Sequence, residues 1–259
     1  MYTADHFIKA QSLQEAWQLN QNPKNTILGG GMWLRLGSAH YDSIIDLEQL
    51  GLNQIEEKEN EFRIGCMVSE RTWEKSESLK AAFGPCIAAS VHAIVGTQFR
   101  NTATIGGSVA GRYGFSDLVT CLLALDASVE LYQGGRLAIR EFLEGNGLGR
   151  DLLLAVLIPK QEILVSYHAV HKTKTDFPLI SCAMNQRDSI LQAVIGARPG
   201  RAVLIANTEN LPAAAFADWA AEQTSYGDDL RCGSEYRKVL AQTALAQCAA
   251  DLLKGGCAE

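Results

Sequence analysis

Two clusters of glycine constrain the fold of this chain more than any other feature of its sequence. Gly29–Gly31 follows a short apolar segment, residues 26–28, and the pair Gly106 and Gly107 follows Thr104-Ile105. Because glycine has no Cβ, the amides of such loops can approach a phosphate closely and donate hydrogen bonds to its oxygens. One cluster alone is equally consistent with a simple reversal of the chain. The prediction of a phosphate-binding site therefore depends on the two clusters together and on the residues around them.

Two well-known phosphate-binding folds do not fit these clusters. A P-loop is excluded because neither cluster is followed by Gly-Lys-Ser or Gly-Lys-Thr. A Rossmann fold would use Asp46, 17 positions after Gly29, to bind a ribose. However, Leu34 stands where that motif has its third glycine, and the twelve residues 31–42 leave little room for a crossover helix. The Rossmann interpretation is therefore disfavoured.

Hydrophobic periodicity and turn residues predict an α+β fold with a division at Pro159. A capping box at Ser12 predicts a helix to about residue 20, and residues 69–94 are mostly helical with a break at Gly84. The segment 96–114, dense in Gly, Thr, Ser and Asn, is predicted to be loop or extended chain. Strands are predicted at 26–28, 43–47, 55–59, 61–66, 129–132, 136–139 and 152–158. After Pro159, a three-stranded sheet (163–171, 179–185, 190–195) precedes helices at 213–223 and 234–254.

Composition excludes several functional classes. A net charge of −6 argues against nucleic acid or an anionic membrane surface as a partner. The longest apolar run, residues 152–158, has seven residues and cannot span a bilayer, and no export signal is recognised at the N-terminus. Seven scattered cysteines without a CxxC pair, and five histidines without ligand spacing, predict reduced thiols and no metal site. We therefore expect a cytoplasmic protein.

The second glycine cluster lies in a longer and more specific motif. Residues 99–110 read FRNTATIGGSVA, then come Ser116-Asp117 and the segment LLALDA at 122–127. This pattern resembles the FAD-binding subunit of molybdenum hydroxylases, the family of xanthine dehydrogenase and carbon monoxide dehydrogenase. Residues 27–34 resemble the family's AGGT(D)L element, and residues 233–237 its GSxxYR element. The resemblance covers nearly the whole chain.

The resemblance implies a two-subdomain FAD-binding fold of the PCMH/vanillyl-alcohol-oxidase type, followed by a smaller C-terminal α/β domain. Residues 1–159 would form the FAD-binding domain, with subdomains at about 1–52 and 53–159, and residues 160–259 the C-terminal domain. Because this boundary coincides with Pro159, the resemblance and the residue pattern agree on it.

The resemblance also implies which residues bind noncovalent FAD. Backbone amides of both glycine loops would hold the pyrophosphate, with hydroxyl donors from Thr104 and Ser108. Asp117 would accept hydrogen bonds from sugar hydroxyls, with a helix N-cap as its alternative role. Ile94 and Leu153 would lie against the ring system, and Lys172 near the cofactor. The expected loop residues are Ile27, Leu28, Gly29, Gly30, Gly31, Met32, Trp33, Leu34, Thr104, Ile105, Gly106, Gly107 and Ser108. Met32-Trp33 departs from the family's Thr-Asp pair, and Trp33 fits a packing role as well as a cofactor contact.

The function implied is electron transfer within a larger enzyme. A [2Fe–2S] small subunit would pass electrons to this FAD, and a molybdopterin-binding large subunit would oxidise the substrate. No catalytic residue is assigned to this chain. The sequence leaves NAD⁺, a ferredoxin-like carrier and oxygen open as the acceptor. An autonomous FAD-dependent oxidoreductase and a binding module that has lost FAD are the two alternatives.

Overall fold

The computed structural model describes residues 1–255 and shows an α+β fold. Its strands are β1 (Thr3–Lys9), β2 (Thr26–Leu28), β3 (His40–Asp46), β4 (Ile55–Glu57), β5 (Glu61–Gly65), β6 (Ser128–Leu131), β7 (Gly135–Ala138), β8 (Leu153–Pro159), β9 (Leu164–His171), β10 (Pro178–Arg187), β11 (Ile190–Gly196) and β12 (Val203–Ala206). Its helices are α1 (Leu13–Asn20), α2 (Glu70–Lys75), α3 (Glu77–Phe83), α4 (Cys86–His92), α5 (Thr97–Thr102), α6 (Ile105–Gly111), α7 (Asp117–Ala124), α8 (Ile139–Glu144), α9 (Ala213–Glu222) and α10 (Ser234–Leu253).

The N-terminal sheet has three parallel strands in the order β1-β3-β2. Its central strand β3 buries Ile44 and Ile45, whereas the polar edge strand β1 gives little sequence signal and was not predicted. Leu28, the last residue of β2, pairs with Asp46 at the end of β3. The first glycine cluster therefore begins at the carboxyl edge of this sheet.

The second sheet is antiparallel, with strands in the order β4-β5-β8-β6-β7. Its central strand β8 has six consecutive buried residues, 153–158, as the apolar run in the sequence predicts. Helices α6 and α7 bury Ile105, Val109 and Leu122 in the same core as β8. This packing fixes the second glycine cluster relative to the sheet.

The C-terminal sheet has four strands, not the predicted three. The order is β12-β11-β10-β9, and the additional strand β12 pairs with β11 through Val203↔Ile195 and Leu204↔Val194. β12 has only four residues and begins three positions after Gly200, so it is too short for a clear periodic signal. The two predicted helices are confirmed as α9 and α10, and α10 buries Ala241, Ala244 and Leu245 at helical spacing.

The segment 96–114, predicted as loop, instead contains helices α5 and α6. The first turn of α6 is capped by Thr104, whose Oγ1 accepts a hydrogen bond from the Gly107 amide at 3.1 Å. Packing of Ile105 and Val109 outweighs the poor helix propensity of two adjacent glycines. The prediction failed because it relied on local propensity alone.

The two parts of the chain on either side of Pro159 are in extensive contact. Thr120 on α7 forms a hydrogen bond with Ser181 on β10, 2.9 Å between the two hydroxyl oxygens. Asn185 Nδ2 donates to the Ala124 carbonyl at 2.6 Å. The division at Pro159 stays a prediction, because the main hydrophobic core includes residues from both sides.

No helix within residues 1–255 combines the length and the apolar character needed to cross a bilayer. All six cysteines in this part of the chain are buried, and Cys257 lies outside the described residues.

Candidate functional site

The two glycine loops are in direct contact. A Cβ on Gly30 would overlap the carbonyl oxygen of Thr102, and one on Gly29 would lie 2.9 Å from Thr104 Oγ1. A side chain at either position would push the loops apart, so the approach of the two segments requires glycine. The sequence places these loops far apart along the chain, and the fold brings them together as expected for a shared site.

Two cavities flank this contact. The larger has a volume of about 580 Å³ and the smaller about 120 Å³. Both are bordered by Ile27, Gly29, Thr104, Gly107 and Ala110, which form their common wall. An elongated ligand with two bulky ends and a narrow centre would match this arrangement.

The loops differ in the backbone donors that they offer. Within residues 1–255, the amides of residues 29–33 donate to no protein group. In the second loop, Ile105 N donates to Val68 O at 2.9 Å and Gly106 N to Cys66 O at 2.8 Å. The amides of residues 107 and 108 donate to Thr104. The expectation that both loops offer free amides therefore applies to the first loop only.

The adjacent glycines of the second loop have different surroundings. A Cβ on Gly106 would lie 2.6 Å from Cys66 Cβ, so this glycine allows close packing against the neighbouring segment. A Cβ on Gly107 would meet only Thr104 Oγ1, at 3.1 Å, within a 4 Å radius. Gly107 borders both cavities, and a larger side chain there would enter the space between them.

Asp117 lines the larger cavity and is 6 % exposed. The N-cap of α7 is Ser116, whose hydroxyl accepts from the Val119 amide, so Asp117 is not an N-cap. Tyr167 donates its hydroxyl to Asp117 Oδ1 at 2.5 Å, and burial together with this carboxylate raises the pKa of Tyr167. The other oxygen, Oδ2, lies 3.8 Å from His171 Nε2. One carboxylate oxygen is thus engaged by the protein.

A second acid, Glu70, lines the same cavity and was not identified from the sequence. The Ser108 hydroxyl, predicted to bind a ligand, instead donates to Glu70 Oε1 at 2.8 Å. Burial raises the pKa of Glu70 to about 7, and the hydrogen bond from Ser108 offsets this only in part. Glu70 and Ser108 are 38 positions apart, so no local pattern could have revealed the pair.

Four aromatic side chains from three loops cluster at the larger cavity. Trp33 lies 4.8 Å from Tyr113, 5.5 Å from Phe115 and 5.8 Å from Phe177, measured between ring centroids. Trp33 remains 38 % exposed, so it packs against cavity residues rather than in the hydrophobic core. The Arg231 guanidinium lies 4.7 Å from the centre of the Phe177 ring.

Comparison with known proteins decides the family. Residues 3–161 match the family described as the FAD binding domain in molybdopterin dehydrogenase. The chain belongs to this family. FAD is accordingly its cofactor, and the family consists of oxidoreductase components.

Similar proteins support this assignment over most of the chain. The nicotine 6-hydroxylase medium subunit of Paenarthrobacter nicotinovorans is 27 % identical over 268 residues, covering 92 % of this chain and 94 % of that protein. The xanthine dehydrogenase FAD-binding subunit of Escherichia coli O157:H7 is 27 % identical over 210 residues, covering 76 % and 68 %. The structure of quinoline 2-oxidoreductase from Pseudomonas putida 86 superposes with a TM-score of 0.83 at 19 % identity, over 98 % of this chain and 96 % of that one. At that identity the superposition shows the fold alone.

The features of the larger cavity fit a flavin dinucleotide. The free amides of residues 29–33 can bind phosphate oxygens, and Gly107 leaves open the space that a Cβ would fill. Asp117 adds an acceptor for hydroxyl groups. Within the described residues, neither His nor Cys borders the larger cavity, whereas Cys66 borders the smaller one.

Most of the residues predicted for FAD line the larger cavity, but not all of them. Its lining includes Ile27, Gly29, Gly30, Gly31, Met32, Trp33, Leu34, Ile94, Thr104, Gly107, Ser108 and Asp117. Gly106 and Leu153 border only the smaller cavity, whereas Leu28, Ile105 and Lys172 border neither of the two. Ile94 and Leu153, both predicted to lie against the ring system, are therefore in different cavities.

Proposed function

We propose that this chain is the FAD-binding electron-transfer subunit of a molybdenum-containing dehydrogenase or hydroxylase. It would take electrons from a [2Fe–2S] partner and pass them to NAD or another acceptor. The observation that supports this most directly is the contact between two glycine loops at the wall shared by two cavities. A dinucleotide has two bulky ends joined by a pyrophosphate, and only its centre needs glycine-lined walls.

In this proposal the first loop supplies the phosphate donors. Amides of residues 29–33 and the Thr104 hydroxyl bind the pyrophosphate, because Gly29 and Thr104 belong to the common wall and residues 30–33 line the larger cavity beside it. The protons of these groups are not used elsewhere among the described residues. Asp117 accepts a sugar hydroxyl through the oxygen that Tyr167 leaves available. Ile94 contacts one ring system in the larger cavity, and Leu153 contacts the other end of the cofactor in the smaller cavity.

When bound, FAD supplies the ability to accept single electrons and to deliver a hydride, which suits the junction between a cluster and NAD⁺. The chain itself contributes binding, orientation and exclusion of water. The aromatic cluster at Trp33, Tyr113, Phe115 and Phe177 places apolar surface at the larger cavity and so limits access of water to it. These are positioning functions, and no residue here is assigned to bond breaking.

The partners follow from the relatives. Two of the similar proteins are named as a medium subunit and a FAD-binding subunit, names that describe parts of larger assemblies. We therefore assign the molybdenum cofactor to a molybdopterin-binding large subunit and the [2Fe–2S] clusters to a small subunit. The division of this chain at Pro159 into a FAD-binding and a C-terminal domain belongs to the same proposal.

Gentle purification from the native source tests this function. We expect a complex of three subunits, with FAD near one per copy of this chain, released into the supernatant by acid precipitation. The isolated chain should transfer electrons from NADH to artificial acceptors at most, and should not oxidise purines or aldehydes. Recovery as a lone flavoprotein with full turnover of an organic substrate would replace the proposal with an autonomous FAD-dependent oxidoreductase. Yellow colour retained in the acid pellet would contradict noncovalent binding.

A further inference from the structure

Glu70 is held rigidly beside the second glycine loop, yet the binding scheme above does not use it. Its amide donates to Ala103 O at 2.8 Å, and the neighbouring Val68 carbonyl accepts from the Ile105 amide at 2.9 Å. The side chain is 2 % exposed and lines the larger cavity. Position and burial together place a carboxyl group in the lining of the larger cavity, hydrogen-bonded to Ser108, the residue after Gly107 of the common wall.

Glu74, one turn later on α2, is a buried carboxylate whose negative charge is compensated by hydrogen bonds from basic side chains. Its oxygens accept from Arg71 at 2.7 Å, from Arg100 at 3.0 Å and from His92 at 3.0 Å. Burial alone would raise the pKa of Glu74, but these hydrogen bonds outweigh burial and lower it to about 2. Glu74 is thus stabilised as an anion.

Glu70 has none of this compensation. Only the Ser108 hydroxyl donates to it, and its Oε2 has no hydrogen-bond partner within residues 1–255. The charge of Arg100 lowers the pKa of Glu70, but Arg100 donates its hydrogen bonds to Glu74 and not to Glu70. A buried carboxylate with an unpaired oxygen is unfavourable as an anion, whereas its protonated form gains a hydroxyl that can donate.

We propose that Glu70 binds the FAD pyrophosphate in its protonated form, donating a hydrogen bond from its carboxyl group to a phosphate oxygen, so that FAD binding takes up a proton. The inference rests on the proposed function, because it requires FAD in this cavity. An ionised Glu70 at the same wall would repel the pyrophosphate, whose charge has the same sign. The bound phosphate and the proton on Glu70 therefore stabilise each other.

The charged groups around Glu70 favour its protonated form on balance. Asp117, which lines the same cavity, and Glu74 both raise the pKa of Glu70, whereas Arg100 lowers it. His171 lies 3.8 Å from Asp117, and Arg35, Tyr113 and Asp176 line the same cavity. With burial as the largest effect, the pKa of Glu70 is raised to about 7, so that the protein without FAD is partly ionised at this position near neutral pH.

The dissociation constant of FAD from the full-length apo-protein, followed by flavin fluorescence, tests the proposal. If only the protonated form of Glu70 binds, the Kd rises by up to about 30-fold between pH 6.0 and pH 8.5. Calorimetry at pH 8 in two buffers of different ionisation enthalpy should show an uptake of about 0.9 proton per FAD. A flat affinity without proton uptake, or an affinity that increases with pH, would overturn the proposal.

Glu70→Gln is the decisive variant, because a carboxamide donates a hydrogen bond at every pH and can still accept from Ser108. We expect its Kd to change by less than about threefold over the same range, and its affinity at pH 8.5 to exceed that of the wild type. Asp176→Asn removes another acid at the same cavity, and His171→Gln removes the imidazole beside Asp117. In both control variants, the Kd for FAD should depend on pH as it does in the wild type.

The outcomes separate this inference from the proposed function. A wild-type protein that is folded by circular dichroism and binds no FAD at any pH contradicts the proposed function. A wild-type protein that binds FAD equally at pH 6.0 and 8.5 leaves the function intact and refutes the role of Glu70. If Glu70→Gln does not fold, proton uptake by the wild type decides the question.

Discussion

The two glycine loops carry a similar sequence signature but use their backbones differently. The first loop, residues 29–33, has amides without protein acceptors among the described residues, whereas the amides of residues 105–108 are all hydrogen-bonded within the protein. In the first loop Gly30 packs against Thr102, and in the second Gly106 packs against Cys66. Glycine thus serves close packing in both loops, but a supply of free donors in only one.

This difference indicates a division of labour at the site. In the proposed binding mode, the first loop provides the hydrogen-bond donors, and the second provides a wall formed by Gly107, Thr104 and the Ser108–Glu70 pair. For substitutions in the two loops, we therefore expect different ratios between the change in the free energy of unfolding and the change in FAD affinity.

The largest effect is expected for Gly30→Ala in the first loop. Its Cβ would overlap the Thr102 carbonyl oxygen, a backbone atom that cannot move without separating the two loops. We expect a loss of roughly 3 kcal/mol in the free energy of unfolding and loss of FAD binding, measured by urea denaturation and flavin fluorescence. Gly37→Ala is the matched control, since its Cβ would lie 3.3 Å from Leu34 O. Equal stability of the two variants would show that the loops do not depend on this contact.

A comparable effect should appear in the pH dependence of the apo-protein's stability. The pKa of Glu70 is raised by burial from 4.5 to about 7, so its protonated form contributes stability that is fully present below pH 4.5. This contribution, about 3 kcal/mol, is lost as pH rises through about 7. In the Glu70→Gln protein, the free energy of unfolding should not fall in this way between pH 5 and pH 8, as measured by urea denaturation at both values.

Glu74 provides the contrast to this titration. Its pKa is lowered to about 2 despite burial, so its contribution is present above pH 4.5 and is lost as pH falls through about 2. Glu74→Gln should therefore lower stability at pH 5 and at pH 8 alike. The free energy of unfolding of the Glu70→Gln protein should change less between pH 5 and pH 8 than that of the wild type. An equal change in the two proteins would show that Glu70 does not cause it.

Substitutions of the two adjacent glycines of the second loop should separate an effect on stability from an effect on FAD binding. Gly106→Ala should cost about 1–3 kcal/mol of stability, because its Cβ would lie 2.6 Å from Cys66 Cβ. Gly107→Ala should leave apo stability unchanged or raise it by up to about 1 kcal/mol, as alanine is the better helix former. Gly107→Val should abolish FAD binding by occupying the space between the cavities. A folded Gly107→Val protein with full flavin content would remove the second loop from the site.

The smallest effect is expected at Asp117. Because Tyr167 already occupies one of its oxygens, Asp117→Ala should weaken FAD binding by about tenfold. The same change leaves the buried Tyr167 hydroxyl without its acceptor and should lower the melting temperature of the apo-protein. Tyr167→Phe keeps the carboxylate and should retain FAD affinity within about threefold. An Asp117→Ala protein with wild-type affinity would show that this carboxylate has only a structural role.

The family and much of the fold could be predicted from the sequence, whereas the residues assigned to FAD stay a prediction. The motif at 99–110 identified the family, and the apolar run in β8 and the helices α9 and α10 were located correctly. The helix α6 was missed because its stability comes from tertiary packing and from the Thr104 cap, not from its glycine-rich sequence. The short strand β12 was missed because it depends on pairing with β11.

The electrostatics of the site could not be predicted at all. The contact between Glu70 and Ser108 joins residues from different helices, and the aromatic cluster around Trp33 joins three loops. Sequence reasoning assigned Ser108 a ligand-binding hydroxyl, because it could not see the acid that accepts from it. Local patterns locate backbone loops well, but they do not show which side chain a distant element places beside them.

The larger cavity is also bordered by residues 175–178, the end of the connection between β9 and β10 together with the first residue of β10. The family match ends at residue 161, before this connection begins. During synthesis from the N-terminus, both glycine loops are complete before the residues that finish the cavity have been made. The ribosome adds residues at about 5–20 per second, so the 70 residues that separate Ser108 from Pro178 take about 4–14 s to synthesise. The lining of the cavity is therefore completed late in synthesis, because it waits for the residues that lead into β10.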